Sequence, residues 1–163
     1  MKLTSQEEYG LRCLLQIGRR PGGMTIAQIS EAEGISKEYA AKLLRLLRRG
    51  GFVKSARGQA GGYMLAGPPE QINIGEALAF LGGRIFDPDF CGRHTGIESM
   101  CSRSVDCTVR SLWRALQMAL DQVLSKTTLR DMLTSERDMT SWVSDLVDVS
   151  ALLKPPHRNP VMQ

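Results

Sequence analysis

Apolar residues recur at three- and four-residue spacing through the first fifty positions, which is a helical period. Tyr9, Leu11, Leu14, Leu15 and Ile17 line one face of a first helix. Thr4 or Ser5 can cap it, and Glu7 and Glu8 place negative charge in its first turn, where the helix dipole favours it. Gly18 and then Pro21-Gly22-Gly23 stop it. Thr25 opens a second helix over 26–33, Gly34 breaks the chain, and Ser36 caps a third helix running to about Arg49. After Gly50-Gly51, Phe52-Val53 and Tyr63-Met64-Leu65 predict two short strands around a basic, glycine-rich turn at 54–62. Asn73 followed by Glu76 is the signature of a capping box for a helix to about Leu81.

The period then disappears. The stretch 82–103 mixes Gly, Pro, Asp and Arg with Cys91, His94 and Cys101, and a run this long inside a compact domain is functional or disordered. From Ser104 a longer helix is expected, with Val109, Leu112, Trp113, Leu116, Ala119, Leu120, Val123 and Leu124 in a stripe wide enough to cover a partner helix. A short helix follows Thr127, and 136–163 reads as a partly disordered tail. The pattern divides the chain into a DNA-binding unit (1–81), a cysteine-bearing loop (82–103), a long helix with a short terminal one (104–135) and the tail. The fold class expected is mainly α, a winged helix-turn-helix with a long C-terminal helix whose apolar stripe needs a partner.

Composition narrows the class. The chain of 163 residues is long enough for one well-packed domain, and its 42% apolar and 23% charged content is that of a globular protein. No apolar run approaches the roughly 18 residues of a membrane span, and the first residues enter a polar helix pattern without an apolar signal core. A cytoplasmic protein is expected, and there four cysteines are free, metal-bound or redox-active rather than structural disulfides. Charge is uneven. Residues 1–66 hold eleven Lys and Arg against five Glu, a net of +6, whereas 67–163 hold ten against twelve acids, a net of −2. The first half is where a polyanion would bind.

Helix, tight turn at Gly34, helix and a basic hairpin make a winged helix-turn-helix. The third helix would enter a major groove by its first turns, which carry Ser36, Lys37, Glu38, Tyr39 and Lys42. Ser36 and Tyr39 can donate to phosphates or base edges, and Lys37 and Lys42 supply charge to the backbone. Arg57 with Gly58 at the hairpin tip suits a narrow minor groove, because the glycine lets the backbone come close. The bland reading is a helical core with a solvated basic face; the basic turn at the right distance tells against it.

Cys91, Cys101 and Cys107 lie as C-x9-C-x5-C. Three thiolates on a glycine-rich loop can hold a soft metal or an iron–sulfur cluster. The spacing lacks the paired C-x2-C of a structural zinc site. Redox thiols or inert cysteines remain open on spacing alone. Several side chains could supply a fourth ligand, among them His94, Glu7, Glu8, Asp87, Asp89 and Asp106. Cys13 falls within the first helix and reads as a small buried hydrophobe.

The residues resemble the Rrf2 family of bacterial winged-helix regulators. The likeness rests on Met1-Lys2-Leu3-Thr4-Ser5, on Ile29-Ser30, Gly34-Ile35-Ser36 and Tyr39, on Arg57-Gly58-Gln59-Ala60-Gly61-Gly62-Tyr63, and on the three late cysteines. It covers about residues 1–135 and lies nearest the iron–sulfur branches of that family, IscR and NsrR. The resemblance implies a homodimer in which the long helix pairs with its mate and a cluster sits near the interface. It implies Cys91, Cys101 and Cys107 as ligands, with a 4Fe-4S cluster preferred to a 2Fe-2S one. The IscR-like branch takes a histidine three residues after the last cysteine; here that position is Arg110, which stays protonated and cannot ligate. Some NsrR-like proteins use an acidic residue of the first helix from the other protomer, which here corresponds to Glu8. The nine-residue gap between Cys91 and Cys101 exceeds the family's usual five to seven and keeps His94 as a reserve ligand. The resemblance also assigns operator contact to Ser36, Glu38, Tyr39, Lys42 and Arg57. The glutamate by which the IscR branch sorts operators corresponds to Ala41.

The function expected is a DNA-binding transcriptional regulator, a repressor, controlled by an iron–sulfur cluster that senses redox state, nitric oxide or iron–sulfur status. A regulator switched by thiols without a cluster is the alternative. A small thiol or metal enzyme is a poorer one, since His94 and His157 are the only histidines and no nucleophile–base spacing stands out. A protein-interaction module on the same fold is the third.

Overall fold

The computed structural model describes residues 3–56, 62–98 and 100–146. Arg57 and Gly58, the wing-tip residues, lie outside the described residues, as does 147–163. Helices α1 (Ser5–Gly18), α2 (Ile26–Glu33) and α3 (Lys37–Arg49) form the front of the chain. Strands β1 (Val53–Ala56) and β2 (Gly62–Leu65) follow, then α4 (Ile74–Gly82), α5 (Thr108–Leu124), α6 (Leu129–Met132) and α7 (Glu136–Leu146).

The first three helices start where short polar side chains can take up orphan amides. Thr4 accepts from the Glu7 amide while Glu7 accepts from the Thr4 amide at 2.8 Å. Thr25 and Gln28 make the same reciprocal pair at α2, and Ser36 accepts from the Tyr39 amide at 3.1 Å. Between α2 and α3, Gly34 sits at φ +64, a left-handed turn that a side chain would strain. Leu14, Ile17, Ile29, Leu43, Leu44 and Leu47 then meet in one core, joined by Met24, Val53, Ile74 and Leu129.

The wing is tied into this core. β1 and β2 pair antiparallel from Val53↔Leu65 to Ala56↔Gly62, and Tyr63 exchanges two backbone hydrogen bonds with Met24, 2.7 and 2.8 Å. Met24 is thus joined to the outer side of β2 by an isolated antiparallel bridge. A Cβ at Gly62 would stand 2.5 Å from the Met24 carbonyl oxygen. Gly62→Ala should therefore push the hairpin off Met24 and weaken binding to a DNA fragment selected by the wild-type chain, with helix content by far-UV CD unchanged. Equal affinity in fluorescence anisotropy would detach the wing from recognition.

Three sequence expectations need correction. The helix expected from Ser104 begins at Thr108, with Cys107 as its cap. Cys107 is extended, at φ −146 and ψ 101, and its Sγ accepts from the Arg110 amide, so the helical turn starts only after it. At α4, Asn73 does cap the Glu76 amide, but no return bond from Glu76 forms. The Asn73 amide instead donates to the Leu124 and Ser125 carbonyls, at 3.2 and 2.9 Å, satisfying the end of α5. The tail, expected to be partly disordered, is not among these: it contains α7 over Glu136–Leu146, capped by Ser135 accepting from the Asp138 amide, and the rest of it lies outside the described residues. The strands also run further into the turn, to Ala56 and from Gly62.

Backbone pairing of Ile72 and Ile74 with Leu129 and Thr127 fixes the far end of α5 to the core. The rest of α5 is scarcely buried within one chain. Gln117 is its one buried residue, while Val109, Leu112, Leu116 and Met118 are exposed.

Candidate nucleic-acid interface and cysteine cavity

Helix α3 buries Ala40, Leu43, Leu44 and Leu47 and turns Lys37, Glu38 and Lys42 outward. Ser36 is exposed at the cap. Arg45, also exposed, lies one turn beyond Lys42 on the same face. Sequence reasoning passed over it because the leucines around it drew attention to the core. The Glu38 carboxyl is held below the usual carboxylate range, first by its own backbone N–H and then by the Ser36 hydroxyl. Tyr39 is half-buried, its ring edge-on to Tyr9 of α1 at 6.1 Å, and the Lys42 ammonium lies 6.0 Å from its centroid. The front of the recognition helix is thus braced against α1.

A second brace joins α1 to α2. The Glu33 carboxylate, its side chain only 3% exposed, accepts from Arg12 and from Gln16, the latter at 2.7 Å. Arg12 also lies 5.2 Å over the Tyr9 ring. Periodicity could not reveal this clasp, since all three residues read as polar surface. Glu8, exposed, is a looser partner of Arg12 at 3.9 Å. Beside the clasp, Cys13 is fully buried, and burial pushes its thiol up to about 12. It is the inert packing residue expected.

The loop after α4 is anchored through Gln117, which accepts from the Phe86 amide at 3.1 Å and donates to Asp121; Arg84 pairs with Asp121. Beyond it, a 3-10 turn at Cys91–Arg93 and further turns bring the cysteines round the first turn of α5. Cys91, Cys101 and Cys107 are free, half-buried, and line one cavity of about 190 Å³, together with Thr95, Arg103 and Arg110 among others. The Arg110 amide donates to Cys107 Sγ at 3.3 Å.

None of the six candidate fourth ligands, His94, Glu7, Glu8, Asp87, Asp89 and Asp106, lines this cavity. His94 stacks on Phe90, with centroids 4.3 Å apart, and its Nδ1 lies 2.7 Å from the Phe90 carbonyl oxygen. Glu8 stays beside Arg12 on α1. Among the described residues no three of His, Cys, Asp or Glu converge closely enough to hold a single metal ion. Three cysteines lining one cavity are nevertheless the donor type that fits a thiolate-bound iron centre recruiting a further ligand from elsewhere. No helix among the described residues is long and apolar enough to cross a membrane.

Residues 3–135 match the family model described as "Rrf2: Iron-dependent Transcriptional regulator". The transcriptional regulator NsrR of Bacillus subtilis is 34% identical over 145 residues, covering 85% of this chain and 94% of that one. IscR of Aliivibrio salmonicida is 30% identical over 155 residues, 94% of this chain and 88% of its own. Among solved structures, CymR, the global cysteine regulator of B. subtilis, superposes with a TM-score of 0.64 at 28% identity, covering 82% of this chain and 96% of CymR. The IscR of T. potens gives 0.64 at 29%, covering 82% and 86%. These relatives are transcriptional regulators, not enzymes, and share the winged-helix architecture described above; with a family match spanning most of its length, the chain belongs to the Rrf2 family of transcriptional regulators.

Proposed function

We propose that this regulator is a cytoplasmic, homodimeric repressor whose DNA affinity depends on an iron–sulfur cluster held by Cys91, Cys101 and Cys107. The observation that carries the reading is the single cavity lined by these three cysteines at the start of α5. The kinship with proteins named IscR and NsrR supports it. When bound, such a cluster supplies a redox-active, nitric-oxide-reactive crosslink, 4Fe-4S in preference to 2Fe-2S. The exposed apolar face of α5 supports pairing of two copies through this helix.

The chain's own residues do the coupling. The three cysteines fasten the 82–103 loop to the first turn of α5. Glu8, exposed on α1, is free to reach the cysteine site of the second copy as its fourth ligand, with His94 the reserve. Such a tether sets the spacing between the two α3 helices, and half-site spacing decides whether both fit successive major grooves. Ser36, Lys37, Glu38, Tyr39 and Lys42 then contact operator DNA, with Arg57 and Gly58 at the wing.

Glu8→Ala should change the visible absorption of the anaerobically purified, iron-loaded protein; an identical spectrum removes Glu8 from the ligand set. Lys42→Ala should weaken DNA binding across sequences and reduce the slope of log K against log salt by about 1. An unaltered slope would place Lys42 off the phosphate backbone.

One second reading has an observation behind it. The three cysteines are free thiols in one cavity, and the solved relative CymR is titled a global cysteine regulator. A switch made by pairing these thiols on oxidation would need no iron. Colourless anaerobic protein that cannot be reconstituted with iron and sulfide would favour it.

A further inference from the structure

Two arginines of the cysteine-bearing loop are paired with carboxylates, and, among the described residues, the two that line the cysteine cavity are not. Arg93 is paired with Asp87 and Arg84 with Asp121. Arg103 and Arg110 line the cysteine cavity, no carboxylate lines it, and among the described residues neither arginine is ion-paired. Asp106 precedes Cys107 in the chain but is not part of the cavity wall.

Arg110 is also held in place. Its guanidinium donates to the Ser104 carbonyl at 2.9 Å and the Val105 carbonyl at 3.4 Å, and its amide donates to Cys107 Sγ. The side chain folds back over the first turn of α5, so its charge stays at the cavity wall. The partial positive charge of the α5 N-terminus adds to it.

We propose that Arg110 is the counter-charge of the three-cysteine site, a positioning residue that keeps the cavity electropositive and offsets the negative charge of the sulfurs. The proposal rests on those cysteines being the sensing site, but not on what they hold. Charge and hydrogen bonds near sulfur ligands set the potential of a thiolate-bound iron centre. Arg110 would therefore raise that potential.

The test compares two alkylating reagents on the reduced, metal-free full-length chain. The same thiolates attack the methylene carbon of anionic iodoacetate or of neutral iodoacetamide and displace iodide, so the ratio of the two rates at Cys91, Cys101 and Cys107, read by peptide mass spectrometry, reports local charge. In the wild type the ratio should exceed that of a free thiol and fall as salt rises. Arg110→Gln should lower it by about three- to tenfold, and Arg110→Lys should hold it within about twofold of wild type. A wild-type ratio equal to that of a free thiol and indifferent to salt would overturn the proposal without any variant. So would an unchanged ratio in Arg110→Gln, or an equal fall in Arg110→Lys. In iron-loaded protein, Arg110→Gln should shift the reduction potential to more negative values, and an unmoved potential at full iron content would contradict the proposal. If the wild type takes up no iron, the cluster reading fails while the alkylation ratios still decide the role of Arg110.

Discussion

Replacing Cys101 by alanine is expected to remove most of the iron and sulfide from anaerobically purified protein and to leave its DNA affinity at the level of the stripped wild type. The sulfur of Cys101 comes from the turn-rich part of the loop, whereas Cys107 is fixed as the cap of α5. Losing Cys101 leaves two thiols from a site already short of a protein ligand, and thiolate-bound iron centres depend on the full set. The substitution should barely alter the fold, since the cysteine lies half-buried in the loop and outside the main core. Unfolding by urea should therefore match the wild-type chain without cluster. Retention of iron and sulfide at wild-type levels would remove Cys101 from the site.

The second large effect concerns stability. Leu43 is fully buried on α3, inside the cluster that joins α1, α2 and the wing. Leu43→Ala removes buried methyl groups and leaves a cavity, which costs about 2–5 kcal/mol. Domains of this kind have only about 5–15 kcal/mol in total, so a large part of the folded-state margin is lost. The urea midpoint should fall sharply at an unchanged m-value. Lys42, next to Leu43 in the chain but exposed, should behave in the opposite way, with an unmoved midpoint and weakened DNA binding. If Lys42→Ala destabilised the fold as much as Leu43→Ala, the assignment of core and DNA-facing sides of α3 would be wrong.

The front half of the fold was legible because its signals are local. Thr4 with Glu7, Thr25 with Gln28, and Ser36 satisfy amides three residues away, and Gly34 turns the chain by its own backbone freedom. Spacing alone also placed Cys13 in the core. What stayed hidden depends on partners distant in sequence or on side chains that read as solvent-facing. Met24 bridges to Tyr63 only because β2 folds back against it. The clasp of Arg12, Gln16 and Glu33 looks like three surface polars until α1 and α2 cross. The start of α5 lies one turn later than the pattern suggests because Cys107, extended, caps it through its sulfur, a role that serine or threonine would have announced more plainly. α7 carried a readable signal in Ser135 with Asp138 and in the spacing of Met139, Trp142 and Val143, but the Pro-rich residues beyond Leu153 dominated the reading of the tail.

The site was legible in a narrower sense. The cysteines could be picked out by type and spacing, and one cavity does hold all three. His94 was equally prominent in the sequence, yet its ring packs on Phe90 away from that cavity, an aromatic contact that spacing does not encode. Glu8 is exposed and removed from the cysteines of its own chain, so any role for it as a ligand depends on a second copy.

The most direct measurement is made on protein purified without air. Iron and acid-labile sulfide are counted, an absorption spectrum is taken, and affinity for a selected operator is compared before and after the iron is removed. The account predicts coloured protein containing both elements and a clear change in affinity when they are stripped. Protein that holds neither, cannot be loaded with them, and binds DNA equally well throughout would contradict it.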